Sequence, residues 1–174
     1  MKRREFLEKL KAEHRMFGFK NLIYVDETGF DAHCNRGSAW VKKGQKILGL
    51  ISGKRKRRTN LIMAQRHGRK GQSREWLAPM LFQGSCNAQL FEMWIEECLM
   101  KELNEPTIVV VDNASFHNHK RVQDILAKDY HYLIPLPPYS PDFNPIEKTF
   151  GAMKKRRQGM PPDTTIDQLI MSYC

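Results

Sequence analysis

The stretch "TIVVVD" (107–112) sets four β-branched apolar residues in a row and closes on an acid. A continuous apolar run of this length, with no polar alternation, is the pattern of a strand covered on both faces. What surrounds it agrees. From Asn87 to Leu103 the residues Leu90, Phe91, Trp94, Ile95, Cys98 and Leu99 recur at three-and-four spacing, a helix with one face on a core, and Pro106 ends that region. Beyond the run, "HKRVQDILAKD" (119–129) reads as a helix, "YHYLIPL" (130–136) as a strand, and residues 145–158 as a last helix. Strands that alternate with helices pair in parallel, so this half is an α/β arrangement.

The first half is built differently. Residues 3–16 read as an amphipathic helix with Phe6, Leu7 and Leu10 on one face. "NLIYVDET" (21–28), "SAWVKKG" (38–44) and "RTNLIMAQ" (58–65) are strand candidates joined by Gly-rich and Lys/Arg-rich links, while "WLAPMLF" (76–82) is apolar and ambiguous. Three consecutive strands form an antiparallel meander. The expected fold is therefore α/β, a mixed five-stranded sheet with three antiparallel strands followed by parallel ones, flanked by helices. The division expected is an N-terminal helix and linker at 1–20, one domain at 21–160 and a C-terminal tail at 161–174.

Composition narrows the partners. In 174 residues, 29 Lys and Arg stand against 19 Asp and Glu, a formal charge of +10. Such an excess suits a polyanion, nucleic acid before membrane, because no long apolar run is available for insertion. Cys34, Cys86, Cys98 and Cys174 show neither C-x-x-C pairing nor zinc-ribbon spacing and read as reduced thiols. Glu8, Lys9, Lys11 and Glu13 interrupt the N-terminal segment, which is no signal peptide. The expected location is cytoplasmic, with the nucleic acid.

Three acids then demand an explanation. Asp26 ends the first strand run and Asp112 ends the most apolar one, the positions where α/β sheets collect their ligand sites. A carboxylate after "IVVV" costs several kcal/mol to bury alone, and no Arg or Lys is adjacent to Asp112 in sequence. In "PPYSPDFNPIEK" (137–148), Asn144, Pro145 and Glu147 spell a helix start in which Glu147 can reach back to the cap amide. Alternatively, Glu147 points at a metal ion shared with Asp26 and Asp112. Three clustered carboxylates repel unless a divalent cation compensates, and hard oxygen ligands select Mg²⁺ or Mn²⁺. Two such ions suit in-line displacement at phosphorus. At the first acid Glu27 competes with Asp26, since neighbours on a strand face opposite sides.

"IYVDETGF", "VVVDNASFH" and "LIPLPPYSPDFNPIEKTFGAMKKR" resemble the three signature blocks of DDE transposases of the Tc/mariner superfamily, in its bacterial insertion-sequence branch. The likeness covers about residues 20–157, and thirty-four residues separate Asp112 from Glu147, as is typical there. It implies a ribonuclease-H-like fold, in agreement with the element order. It also implies DNA cleavage at transposon ends and strand transfer into target DNA. By the same carry-over it selects Asp26 over Glu27, with Asp26 bridging two metal ions, Asp112 binding one and Glu147 the other. Members of the superfamily usually carry an N-terminal helix-turn-helix region, for which the residues ahead of the first strand are too few. A separate DNA-recognising part is therefore an expected partner, and self-association is left open.

The remaining candidates concern DNA. Lys54, Arg55, Lys56, Arg57 and Arg58 form a basic run that is either a DNA contact or a solvated loop. His117 is read as touching phosphate or orienting Asp112, or else as a helix-start residue. Lys154 lies two turns beyond Glu147 on the same helical face, with Lys155 next to it. Tyr139 either stacks on a base or packs, and Asp142 is read as a turn residue. Two rival readings remain: a ribonuclease or resolvase on the same fold, and a non-catalytic nucleic-acid-binding module that needs only the basic runs.

Overall fold

The computed structural model describes residues 2–17, 22–31, 42–46, 58–66, 74–114, 118–161 and 163–173. Helix α1 (Lys2–Phe17) precedes strand β1 (Leu22–Phe30), and strands β2 (Thr59–Arg66) and β3 (Glu75–Gln83) follow. Then come α2 (Ala88–Trp94), a π-helical turn (Ile95–Leu99), α3 (Met100–Glu102) and β4 (Ile108–Val111). The chain continues through α4 (His119–Ala127), β5 (Tyr132–Pro135), a 3₁₀ turn (Pro141–Phe143), α5 (Ile146–Gln158) and α6 (Ile166–Met171).

The five strands form one sheet in the order β3-β2-β1-β4-β5. Strands β1, β2 and β3 pair antiparallel, whereas β1–β4 and β4–β5 pair parallel. This is the mixed, ribonuclease-H-like sheet expected, with one correction to its membership. The third antiparallel strand is β3, which contains the ambiguous "WLAPMLF". Of the 38–44 candidate, residues 42–44 are no strand, Lys43 and Gly44 being a turn, and the rest lies outside the described residues, as does Trp40.

Alternation sorts the strand residues between two cores. Ile23, Val25, Val109 and Val111 face α2, the π turn and α4, where Phe91, Trp94, Ile95, Leu99, Val122, Ile125 and Leu126 pack. Leu22, Tyr24, Ile108 and Val110 face the opposite layer, built from Phe6 of α1, from Ile146, Phe150 and Met153 of α5, and from Ile166, Leu169 and Ile170 of α6. Helix α6, inside the segment expected as a tail, is thus packed on the sheet. Leu7, expected beside Phe6, is instead 39% exposed.

Strand β3 is irregular. Leu77 and Met80 pair with Ala64 and Ile62, so two residues of β3 oppose one of β2. Ala78 at this bulge takes the left-handed backbone (φ 49°), and its carbonyl accepts a hydrogen bond from Trp94 Nε1 at 2.8 Å. Trp94 is fully buried and so ties the helical layer to the bulge. Replacing Trp94 by Ala should cost about 3–5 kcal/mol by loss of burial and the cavity left behind. Trp94→Phe, which keeps most of the ring and loses the N–H, should cost only about 1–2 kcal/mol. Urea unfolding of the two variants checks both the size and the ranking.

Candidate functional site

Parallel register positions the first two acids. Leu22, Ile23 and Tyr24 of β1 stand opposite Ile108, Val109 and Val110 of β4. Two residues beyond Tyr24 and Val110 lie Asp26 and Asp112, so both segments deliver an acid at the same level. Asp112 lies just past the end of β4, but Asp26 lies midway along β1, which continues to Phe30 and does not end on the acid as expected. Strand parity adds the face. Tyr24 and Val110 belong to the core under α5, so Asp26 shares the side of the sheet on which that helix begins. Glu27 faces the other way, where Cys86 Sγ donates to its Oε1 at 3.8 Å. Burial first, and then the neighbouring Glu27, push the Cys86 thiol up to about 12. Parity puts the two acids on opposite faces, and Glu27 is absent from the cleft shared by the three acids, although it lines the neighbouring one.

The start of α5 brings in the third acid. The sequence allowed Asn144 to cap and Glu147 to reach back to its amide, but the Asn144 N–H donates to Pro141 O at 2.9 Å. Glu147 therefore does not reach back to it, although the Asn144 side chain still serves the helix start, its Oδ1 accepting from the Ile146 N–H at 3.4 Å. The capping box is thus not complete here; Thr165 and Gln168 build one at α6 instead. Asn144 is buried, and its Nδ2 donates to Asp26 Oδ2 at 3.2 Å. Asp26 Oδ1 accepts from the Glu27 N–H at 2.8 Å. Asp112 Oδ1 accepts from the Ala114 N–H at 3.0 Å, and Asn113 Nδ2 donates to the Leu136 carbonyl, joining the ends of β4 and β5.

Asp26, Asp112 and Glu147 line one open cleft of about 530 Å³, walled by Pro137, Pro138 and Tyr139 of the proline-rich loop. Burial raises the Asp26 carboxyl to about 7, against the opposing Glu27 hydrogen bond, and the charges of Asp112, Glu147 and Glu27 push it further upward. Among the described residues no three Asp, Glu, His or Cys side chains are already drawn around a common ion position. The donor set nevertheless fits a hard divalent cation, since burial and then the like charges that lift Asp26 are what such an ion offsets.

A second cleft continues from the first. Asp26 and Glu147 line it too, together with Arg58, Asn60, Gly151 and Lys154. Arg58 reaches this place because Gly29 has no side chain: a Cβ there would lie 1.7 Å from Arg58 Nε. On α5, Glu147, Gly151 and Lys154 follow one another at i, i+4 and i+7, so Lys154 shares the face of Glu147 as expected. Lys155 is exposed and does not line the cleft. His117 and the basic residues Lys54, Arg55, Lys56 and Arg57 lie outside the described residues. In sequence Asn144 reads as a cap and not as a partner of Asp26, and Gly29 carries no motif of its own. A glycine three residues after an acid within a strand was the available signal.

Comparison with known proteins follows the same lines. The model of a family described as "DDE superfamily endonuclease" matches residues 21–170. No curated protein matches the chain. Among solved structures, the Mos1 strand transfer complex superposes with a TM-score of 0.73 at 18% identity, covering 99% of this chain and 51% of that one. The Mos1 mariner paired end complex with Mn gives 0.72 at 18% identity, covering 99% and 53%. The catalytic domain of Mos1 mariner transposase gives 0.59 at 14% identity, covering 98% and 76%. At these identities the likeness is one of fold, and the chain spans about half the length of the transposase chains in the two complexes.

The state of Asp26 has a measurable consequence. With its carboxyl at about 7 in the folded chain and 3.8 as the ordinary value, the native state holds a proton between these limits that the unfolded chain has released. Stability in the presence of chelator should therefore fall as pH rises from about 4 to about 7, then level off. Asp26→Asn should remove that decline, matching the parent near pH 4 and exceeding it at pH 8 by an amount on the order of a few kcal/mol. Chemical denaturation across this range, parent against variant, checks the direction.

Proposed function

The chain belongs to the DDE superfamily of endonucleases, and on that premise we propose that it is the catalytic domain of a transposase. It would hydrolyse a phosphodiester at a transposon DNA end, and the freed 3′-hydroxyl would then attack target DNA. The single observation that carries this reading is the convergence of Asp26, Asp112 and Glu147, from two parallel strands and a helix start, on one cleft that opens toward Arg58 and Lys154. The complexes of Mos1 with transposon ends and with Mn support the assignment of DNA and a divalent ion. We place the catalytic unit at residues 21–160, with α1 and α6 packed on the α5 side of its sheet.

Asp26, Asp112 and Glu147 would hold two ions, Mg²⁺ or Mn²⁺. When bound, these supply Lewis-acid activation of the attacking oxygen and neutralise charge on the phosphate. The chain's own residues do the rest. Asn144 fixes one oxygen of Asp26 and the Glu27 N–H holds the other, so the carboxylate is oriented before substrate arrives. Asp112 is held at one oxygen by the Ala114 N–H. Arg58 and Lys154 offer positive charge beside Asp26 and Glu147, where a phosphate backbone would run. No covalent link to the protein is formed, because the acids position and compensate and do not attack.

Two experiments test this. Asp112→Asn should abolish Mn²⁺-dependent nicking of DNA while circular dichroism stays native. Undiminished nicking by the purified variant would remove Asp112 from the site. Separately, Arg58→Ala and Lys154→Ala should each lower the slope of log affinity against log salt by about 0.9, one phosphate contact apiece. Gly29→Ala should reproduce the Arg58 effect and add nothing to it in the double variant, because it acts by displacing that guanidinium. Salt titrations of DNA binding read all four proteins.

A further inference from the structure

Tyr139 is 99% exposed, the most exposed large apolar side chain among the described residues. It also has a positive φ, 54°, in a turn with Pro138. A turn with proline followed by a left-handed residue ordinarily takes Gly or Asn in the second place, because a side chain such as tyrosine adopts that backbone rarely. Neither backbone chemistry nor packing therefore accounts for tyrosine here. No hydrogen bond, ion pair or ring contact engages it among the described residues.

The loop is built to hold the backbone that carries the ring. Pro137, Pro138 and Pro141 fix three backbone angles around it. Ser140 is buried, its Oγ donates to Pro138 O at 3.2 Å, and its carbonyl accepts from the Phe143 N–H at 3.1 Å. Asn144, at the end of the same loop, is bonded to Asp26. The ring is thus presented on a rigid arm, at the rim of the cleft that contains the three acids. Tyr130 makes a useful contrast. It is 79% exposed with φ 62°, but it ends α4, where a left-handed residue closes the helix, and it does not line the cleft.

We propose that Tyr139 is a stacking platform for an unpaired nucleobase of the DNA strand held at the acids. The inference rests on the transposase reading and deepens it, since it assigns a base-binding position to a site otherwise made of phosphate and metal contacts. A flat ring carried in solvent on a constrained backbone offers its face to any base, independent of sequence, and tyrosine has only two side-chain torsions to order on stacking. A base stacked next to the scissile phosphate would hold the reacting strand in place beside the acids.

The test uses the full chain with Ca²⁺ and a duplex carrying a short single-stranded overhang with one 2-aminopurine. Parent, Tyr139→Phe, Tyr139→Ala and Tyr130→Ala are compared. The parent, Tyr139→Phe and Tyr130→Ala should quench the fluorescent base on binding and bind alike. Tyr139→Ala should lose the quench and bind about five- to a hundred-fold more weakly, the range expected for one stacked base. Its dependence on salt should be unchanged, because no phosphate contact is lost. If Tyr139→Phe fails as badly as Tyr139→Ala, the hydroxyl and not the ring is at work, and the proposal falls. Parent-like binding and quenching by Tyr139→Ala also overturns it, while leaving the transposase reading standing. Failure of the parent to bind DNA at all overturns both.

Discussion

The parallel pairing of β1 with β4 is the constraint on which the rest depends. It puts Tyr24 beside Val110, and every consequence for the site follows two residues later, where the apolar run of each segment gives way to an acid. The pairing is strong because both strands are buried on both faces, between one helical layer that holds Trp94 and another that holds Phe150. A slip of one residue would exchange the two cores and turn Asp26 toward the α2 side. The cost of that exchange, spread over nearly every side chain in the sheet, is what fixes the acids in place.

The site is therefore held apart by charge and held together by packing. Asp26 is squeezed between burial and like charge, and its oxygens are nevertheless tied down by Asn144 and by a backbone amide. Such an arrangement has stored unfavourable electrostatics in a rigid frame, a common condition of sites that act on a cation or polyanion. The basic side chains beside it are not interchangeable with the rest of the +10 excess. Arg58 depends on a missing Cβ at Gly29, and Lys154 on helical phase with Glu147.

Much of this was legible in the sequence, and what was not has physical reasons. The long apolar runs, the alternation of strand with helix and the three acids carry strong local signals. Strand β3 does not, because a bulge at Ala78 and Pro79 breaks the alternation on which strand reading relies, and its apolar run fits either class. The "SAWVKKG" segment was taken into the meander for its β-type composition, which says nothing of which strand neighbours which. At the start of α5, composition fits a capping box and half of it forms: Asn144 Oδ1 accepts from the Ile146 N–H, while its Nδ2 finds a partner in Asp26, more than a hundred residues away, that no local pattern contains.

The same irregular strand bears on how these molecules meet one another. Strand β3 is one margin of the sheet, bent at its bulge and lacking an N–H at Pro79. The other margin, β5, is four residues long and finishes at Pro135. Neither border offers the straight row of amides and carbonyls that a strand from another chain needs in order to add itself and continue the ladder. Two copies of this sheet are thereby hindered from fusing edge to edge. Among the described residues, the helices and loops are the surfaces left for one copy to meet another.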